Sequence, residues 1–116
     1  MKQKYEGSCH CGKVRFEVEL DPAEALVCDC SLCTKKGVVI GRVDEEDLQL
    51  LTPLEELTLY QFNKRIAKHY FCPNCGIHTF NRPRSAPERW VVNLRCLSGV
   101  DLAAIEPQQI HGSTFD

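Results

Sequence analysis

The stretch of sequence that is most informative about the fold class is Cys72-Pro73-Asn74-Cys75-Gly76. A C-x-x-C turn brings two thiolates to one metal ion. Pro73 presets the φ angle of the turn, and Gly76 permits the left-handed backbone that follows it. The stretch therefore predicts a metal-binding turn in a hairpin late in the chain.

Seven of the eight cysteines fall into three such clusters, and the eighth stands alone. The other clusters have the spacings C-x-C and C-x-C-x-x-C. In chain order the cysteines are Cys9 and Cys11; Cys28, Cys30 and Cys33; Cys72 and Cys75; and Cys96. The start of the chain, residues 1–8, shows no signal-peptide pattern, which predicts a cytoplasmic protein with reduced cysteines. Reduced cysteines in clusters favour zinc binding over disulfides.

Length and composition bound the fold class. A chain of 116 residues with 43% hydrophobic and 26% charged residues predicts one globular domain over residues 1–116. The net charge of -2 offers no basic excess for nucleic acid or an anionic membrane surface. No apolar run is long enough to span a membrane. We therefore expect neither nucleic acid nor membrane as a partner.

Alternating polar and apolar residues predict a mainly β fold of short antiparallel strands. The clearest alternation, residues 13–20, puts Val14, Phe16, Val18 and Leu20 on one face. Further strands are predicted at residues 25–28, 37–43, 48–51, 57–62, 66–72, 77–81, 90–96 and 108–112. We predict a helical turn or loop at residues 44–47 and a loop at residues 82–88. No window of ten residues shows helical periodicity.

The cysteine spacings suggest two metal sites of different kinds. Two pairs can close a tetrahedral structural site, and a natural set is Cys9, Cys11, Cys72 and Cys75. The middle cluster then supplies three thiolates and leaves one position open, as in catalytic zinc sites. Three thiolates on Zn²⁺ leave a net charge of -1, which favours binding a further soft thiolate over activating water.

Spacing alone leaves two other ligand sets open. Cys9 and Cys11 could instead join Cys30 and Cys33, and Cys96 could complete the middle cluster as a second structural site. We otherwise interpret Cys96 as a buried small hydrophobe. We give structural roles to His69, His78 and His111, and a surface role to His10. Lys35 and Lys36 are interpreted as solvated charges that could attract an anionic substrate.

Three ordered stretches of this chain resemble the glutathione-dependent formaldehyde-activating enzyme family. They are residues 7–16, 28–37 and 70–76, with residues 92–97 resembling a late strand of the family. The resemblance implies a zinc-containing β-tent. It also implies a structural zinc at Cys9, Cys11, Cys72 and Cys75, and a catalytic, labile zinc at Cys28, Cys30 and Cys33. Of the ligand sets that spacing leaves open, the resemblance thus implies the one that combines Cys9 and Cys11 with Cys72 and Cys75.

The resemblance further implies a carbon–sulfur lyase that joins a small thiol such as glutathione to formaldehyde or another small aldehyde. The thiol would bind the open zinc position as a thiolate and attack the carbonyl carbon. Asp29, Ser31 and water are candidates for the proton donor. Two alternatives stay open: a redox enzyme similar to methionine-sulfoxide reductase B that uses Cys96, and a non-catalytic zinc-stapled binding module.

Overall fold

The structure is a computed structural model, and it describes residues 1–112. Within this part of the chain lie ten β-strands and one α-helix. In chain order they are β1 Gln3–Ser8, β2 Arg15–Leu20, β3 Leu26–Cys28, α1 Ser31–Lys36, β4 Ile40–Val43, β5 Leu48–Leu50, β6 Thr58–Tyr60, β7 Lys68–Phe71, β8 His78–Arg82, β9 Trp90–Asn93 and β10 Gln108–Ile110. The prediction of a mainly β fold is confirmed.

A three-stranded antiparallel sheet is formed by β1, β2 and β5, with β2 in the centre. The predicted alternation in β2 is confirmed, because Phe16, Val18 and Leu20 are buried while Arg15 and Glu19 are exposed. One face of the central strand therefore covers the core, as the period of two along a strand requires.

The second sheet has seven strands in the order β10-β3-β4-β9-β8-β7-β6. Its pairs are antiparallel except for β10 and β3, which run parallel from Gln108 opposite Leu26 to Ile110 opposite Cys28. The prediction of antiparallel strands was wrong for this pair. The long connection from β3 to β10 allows the returning chain to run in the same direction.

Aromatic side chains join the two sheets in one core. Phe16 of β2 meets Phe80 of β8 edge to face, with ring centroids 5.5 Å apart. Phe80 in turn contacts Trp90 of β9 at 5.2 Å, also edge to face. All three rings are almost fully buried. The three-stranded sheet is thereby packed against the middle of the seven-stranded one.

The local differences from the predicted elements have identifiable causes. The helix α1 was not predicted, because six residues are too few to show helical periodicity. Its C-terminal cap is Gly37, whose φ of 66° lies in the left-handed region. The strand predicted over residues 90–96 ends at Asn93, because the Asn93 side chain accepts a hydrogen bond from the Arg95 amide and begins a 3₁₀ turn. The turn predicted at residues 44–47 is a 3₁₀ turn, Glu45–Asp47.

Within residues 1–112, none of the helices has both the length and the apolar character needed to cross a bilayer.

Candidate metal centres

The first candidate centre contains four cysteine thiols brought together by two loops. Cys9 and Cys11 lie in the turn between β1 and β2, and Cys72 and Cys75 lie in the turn between β7 and β8. The four sulfur atoms lie within 4.8 Å of one another. The Sγ atom of Cys11 is 3.6 Å from that of Cys9 and 3.6 Å from that of Cys72. Tetrahedral zinc with Zn–S bonds of about 2.3 Å needs sulfurs roughly 3.8 Å apart, so the group could hold such an ion.

Backbone amides donate hydrogen bonds to these sulfur atoms. The amide of Val14 donates to the Cys9 sulfur at 3.3 Å. The amides of Asn74 and Cys75 each donate to the Cys72 sulfur at 3.4 Å. Hydrogen bonds from the backbone at Cys11 and Ile77 lower the pKa of the Cys75 thiol to about 6. Hydrogen bonds of this kind are typical of the supports around thiolate metal ligands.

The second candidate centre consists of Cys28, Cys30 and Cys33, whose sulfur atoms also lie within 4.8 Å of one another. Cys28 ends β3, and Cys30 is the N-terminal cap of α1. The Cys33 amide donates to the Cys30 sulfur at 3.3 Å, so the first turn of α1 fixes two of the three thiols. Among the described residues, no fourth cysteine, histidine or carboxylate joins this group.

Cys96 lies away from the three-cysteine group. It packs against the core cluster that contains Cys9 and Cys72. Its thiol donates to the carbonyl oxygen of His78 at 3.6 Å, and burial raises its pKa to about 12. The structure thus places Cys96 as a protonated, largely buried thiol beside the four-cysteine group, and not as a fourth member of the three-cysteine group. The alternative set with Cys9 and Cys11 beside Cys30 and Cys33 is likewise not the one that the fold brings together.

A strap formed by residues 108–112 runs over the three-cysteine group. Ile110 pairs with Cys28, and its carbonyl oxygen accepts a hydrogen bond from the Asp29 amide at 3.3 Å. His111 Nδ1 lies 2.8 Å from Asp29 Oδ2. A Cβ atom added at Gly112 would lie 2.5 Å from the Cys28 sulfur. The backbone at Gly112 therefore lies directly against this group.

Three basic side chains meet beside the three-cysteine group. Lys36 Nζ lies 3.1 Å from Nδ1 of His69 and 3.2 Å from Nδ1 of His78. Sequence reasoning treated Lys36 as a solvated charge and the histidines as structural, and missed that the three meet. No spacing signals the group, because its members come from α1, β7 and β8.

Two surface cavities lie elsewhere and contain no cysteine. The cavity beside Tyr70 is lined on one side by Arg82, whose guanidinium stacks on Trp90 with its central carbon 3.7 Å from the ring centroid. The same guanidinium is paired with Glu45. The Arg82 guanidinium is thus already engaged, and the two cysteine groups remain the chemically distinctive features of the described residues.

The chain is similar to known proteins. Residues 4–112 match the family described as glutathione-dependent formaldehyde-activating enzyme. A crystallographically determined protein of Rhodobacter sphaeroides is 43% identical to this chain and superimposes with a TM-score of 0.82, over 93% of this chain and 100% of that one.

A Halomonas elongata protein named "Putative glutathione-dependent formaldehyde-activating enzyme" is 32% identical over 80 residues. The matched segment is 61% of this chain and 51% of the relative, so the match covers about half the length of that curated protein. The family match covers nearly the whole chain, including all seven clustered cysteines. The chain belongs to the glutathione-dependent formaldehyde-activating enzyme family.

Proposed function

We propose that this protein joins a small thiol of the glutathione type to formaldehyde or another small aldehyde, as a carbon–sulfur lyase acting in the direction of condensation. The observation that carries the proposal is the three-cysteine group, which lacks a fourth protein ligand within residues 1–112. Family membership supports the thiol and the aldehyde as substrates.

We assign a structural zinc ion to the thiols of Cys9, Cys11, Cys72 and Cys75, and a catalytic one to Cys28, Cys30 and Cys33. The donor sets support this division, because closed four-thiolate sites are structural and three ligands with an open position are typical of catalysis. When bound at the open site, zinc would keep an incoming thiol deprotonated at neutral pH.

The chain's own residues prepare the three-cysteine group for this chemistry. The amide of Cys33 donates to the Cys30 sulfur, which fixes the position of that sulfur at the start of α1. Cys28, Cys30 and Cys33 are each partly exposed, so the group can be approached from solvent. Cys28 and Cys33 also pack against the buried apolar residues of β3, β4 and β9, which hold two of the thiols in place.

A reducing compartment such as the cytoplasm is part of the proposal. All eight cysteines are free thiols in the structure. Loss of a metal ion from the exposed three-cysteine group would leave thiols that an oxidising environment converts to disulfides.

The proposal is tested by measuring exchange between free glutathione and its formaldehyde adduct by NMR, relative to the spontaneous rate, with other small thiols and aldehydes as a panel. We expect the wild-type protein to accelerate exchange and Cys30→Ser to return it to the spontaneous rate. Elemental analysis should give about two zinc ions per wild-type chain and about one in Cys30→Ser.

Cys96→Ser is the matched control, since it removes a thiol outside both candidate centres. We expect its exchange rate to equal that of the wild type. Unchanged exchange in Cys30→Ser would refute the proposed site. Sulfoxide reduction that is lost in Cys96→Ser would instead support the redox alternative.

A further inference from the structure

Lys36 differs from the other lysines of the chain in its surroundings. It is half-buried, whereas the remaining lysines are exposed; these are Lys2, Lys4, Lys13, Lys35, Lys64 and Lys68. It is the last residue of α1 and follows Cys33 by three positions. Residues three apart on a helix lie on the same side, so the Lys36 side chain leaves α1 from the side that carries the Cys33 thiol.

The hydrogen-bond partners of Lys36 are two imidazoles that carry no negative charge. His69 and His78 are both buried, with 7% and 9% of their surface exposed. Burial, together with the charge of Lys36, lowers the pKa of His69 to about 4 and that of His78 to about 3. Both rings are therefore neutral at physiological pH and accept hydrogen bonds from the Lys36 ammonium through Nδ1.

No carboxylate within residues 1–112 forms an ion pair with Lys36. The titratable groups that face it are the thiols of Cys33 on α1 and of Cys30 at its N-terminal cap, and the two imidazoles from β7 and β8. Burial lowers the pKa of Lys36 to about 8, although the charges of Cys33 and Cys30 act in the opposite direction. The ammonium thus faces the three-cysteine group as its positive neighbour.

Ring packing holds the two imidazoles in position. The His69 ring stacks on Phe62 with centroids 5.8 Å apart, and Phe62 stacks on Tyr60 at 5.9 Å. His78 interacts with the side chain of Asn81 and the backbone of Tyr70. An ammonium group has three N–H donors. With two donors directed at these rings, a third N–H remains that can donate to a substrate.

We propose that Lys36, oriented by His69 and His78, is the proton donor to the aldehyde oxygen when the thiol adds at the three-cysteine group. This inference rests on the proposed function. The sulfur electron pair forms the new carbon–sulfur bond, and the π pair of the carbonyl moves to oxygen. That oxygen takes a proton from the Lys36 ammonium.

The neutral Lys36 amine then regains the proton that the next thiol loses on becoming a thiolate. One thiol and one aldehyde give one hydroxyalkyl thioether, with no oxidant or reductant and no net proton change. Asp29 is a poorer candidate, because its Oδ2 is already engaged with Nδ1 of His111 at 2.8 Å.

The test compares Lys36→Met with Lys35→Met, which removes the same charge from the adjacent, exposed position of α1. We expect kcat for adduct exchange to fall at least about 100-fold in Lys36→Met and to stay within about twofold in Lys35→Met. Zinc content, and the thiolate-to-metal absorption of cobalt-substituted protein, should be equal in both variants.

A pH profile separates proton donation from a purely structural charge. The donor must be protonated, so wild-type kcat should fall as pH rises through the pKa of Lys36, which burial lowers from its ordinary value. Lys35→Met should keep this decline and Lys36→Met should lack it. Lys36→Arg retains a positive charge but does not release a proton in this range, so its rate should stay low at every pH.

Full activity in Lys36→Met or Lys36→Arg would overturn the assignment. If Lys36→Met loses metal or fails to fold, Lys36→Arg still tests the assignment, because it keeps a positive charge beside the thiols. Absence of catalysis in the wild type is a different result, since it refutes the proposed function itself and removes the basis for a proton donor.

Discussion

At the scale of single residues, Gly112 shows how closely the strap approaches the three-cysteine group. An added Cβ would lie 2.5 Å from the Cys28 sulfur and 3.1 Å from the Cys30 Cβ atom. Distances this short leave no room for a side chain unless the strap or a thiol moves. The absence of a side chain at this position therefore helps to define the arrangement of the three thiols.

We predict that Gly112→Ala weakens zinc binding at the three-cysteine group by about 10- to 100-fold, as for other supports of metal ligands. Competition with a chromophoric chelator would measure both zinc affinities in one titration. The four-cysteine site should be unchanged. Gln108→Ala, an exposed change on the same strap, is the control. Wild-type affinity in Gly112→Ala would show that the strap can move aside without disturbing the thiols.

At the scale of elements, the pairing of β1 with β2 depends on a glycine beneath an aromatic ring. Gly7 is the register partner of Phe16. A Cβ atom at Gly7 would come within 2.3 Å of the Phe16 ring. That ring is fully buried and contacts Phe80 of the other sheet. Phe16 cannot move toward Phe80 without disturbing the contact between the sheets.

Gly7→Ala should lower the free energy of unfolding by about 1–3 kcal/mol, because overpacking forces the Phe16 ring out of place. The sign of the change in unfolding free energy is informative, because replacing glycine by alanine in an uncrowded strand stabilises the protein by about 0.5–1 kcal/mol. Denaturant unfolding of Gly7→Ala and of Glu6→Ala, an exposed neighbour on β1, makes the comparison. A stabilised Gly7→Ala would contradict the packing described above.

At the scale of the whole molecule, the four-cysteine group connects the two sheets. Cys9 and Cys11 belong to the loop of the three-stranded sheet, and Cys72 and Cys75 to a turn of the seven-stranded one. The members of the three-cysteine group come only from β3, α1 and the loop between them. A metal ion in the first group would therefore link distant parts of the chain, and one in the second would not.

Cys72→Ser should consequently unfold or aggregate the protein, while Cys30→Ser should keep a cooperative unfolding transition close to that of the wild type. Circular dichroism during thermal unfolding, with zinc content measured in parallel, distinguishes the two variants. Equal destabilisation by both substitutions would indicate that both cysteine groups are structural.

The strands of this fold were predictable where one face is buried, because alternation along residues 13–20 directly records which side chains meet the core. The helix α1 was not predictable, since its six residues are fixed by the Cys30 cap and Gly37 rather than by periodicity. The parallel pairing of β10 was also missed. Hydropathy predicts that a segment is extended but carries no information on the direction of its partner.

The sequence by itself determined the grouping of seven cysteines into clusters, because ligand spacing is a local property of the chain. The tertiary structure decided which clusters meet: Cys9 and Cys11 meet Cys72 and Cys75, more than sixty positions away. It alone brought Lys36 to His69 and His78, since those contacts depend on how α1 packs against two later strands. Contacts between distant segments arise from the packing of whole elements, which no local pattern records.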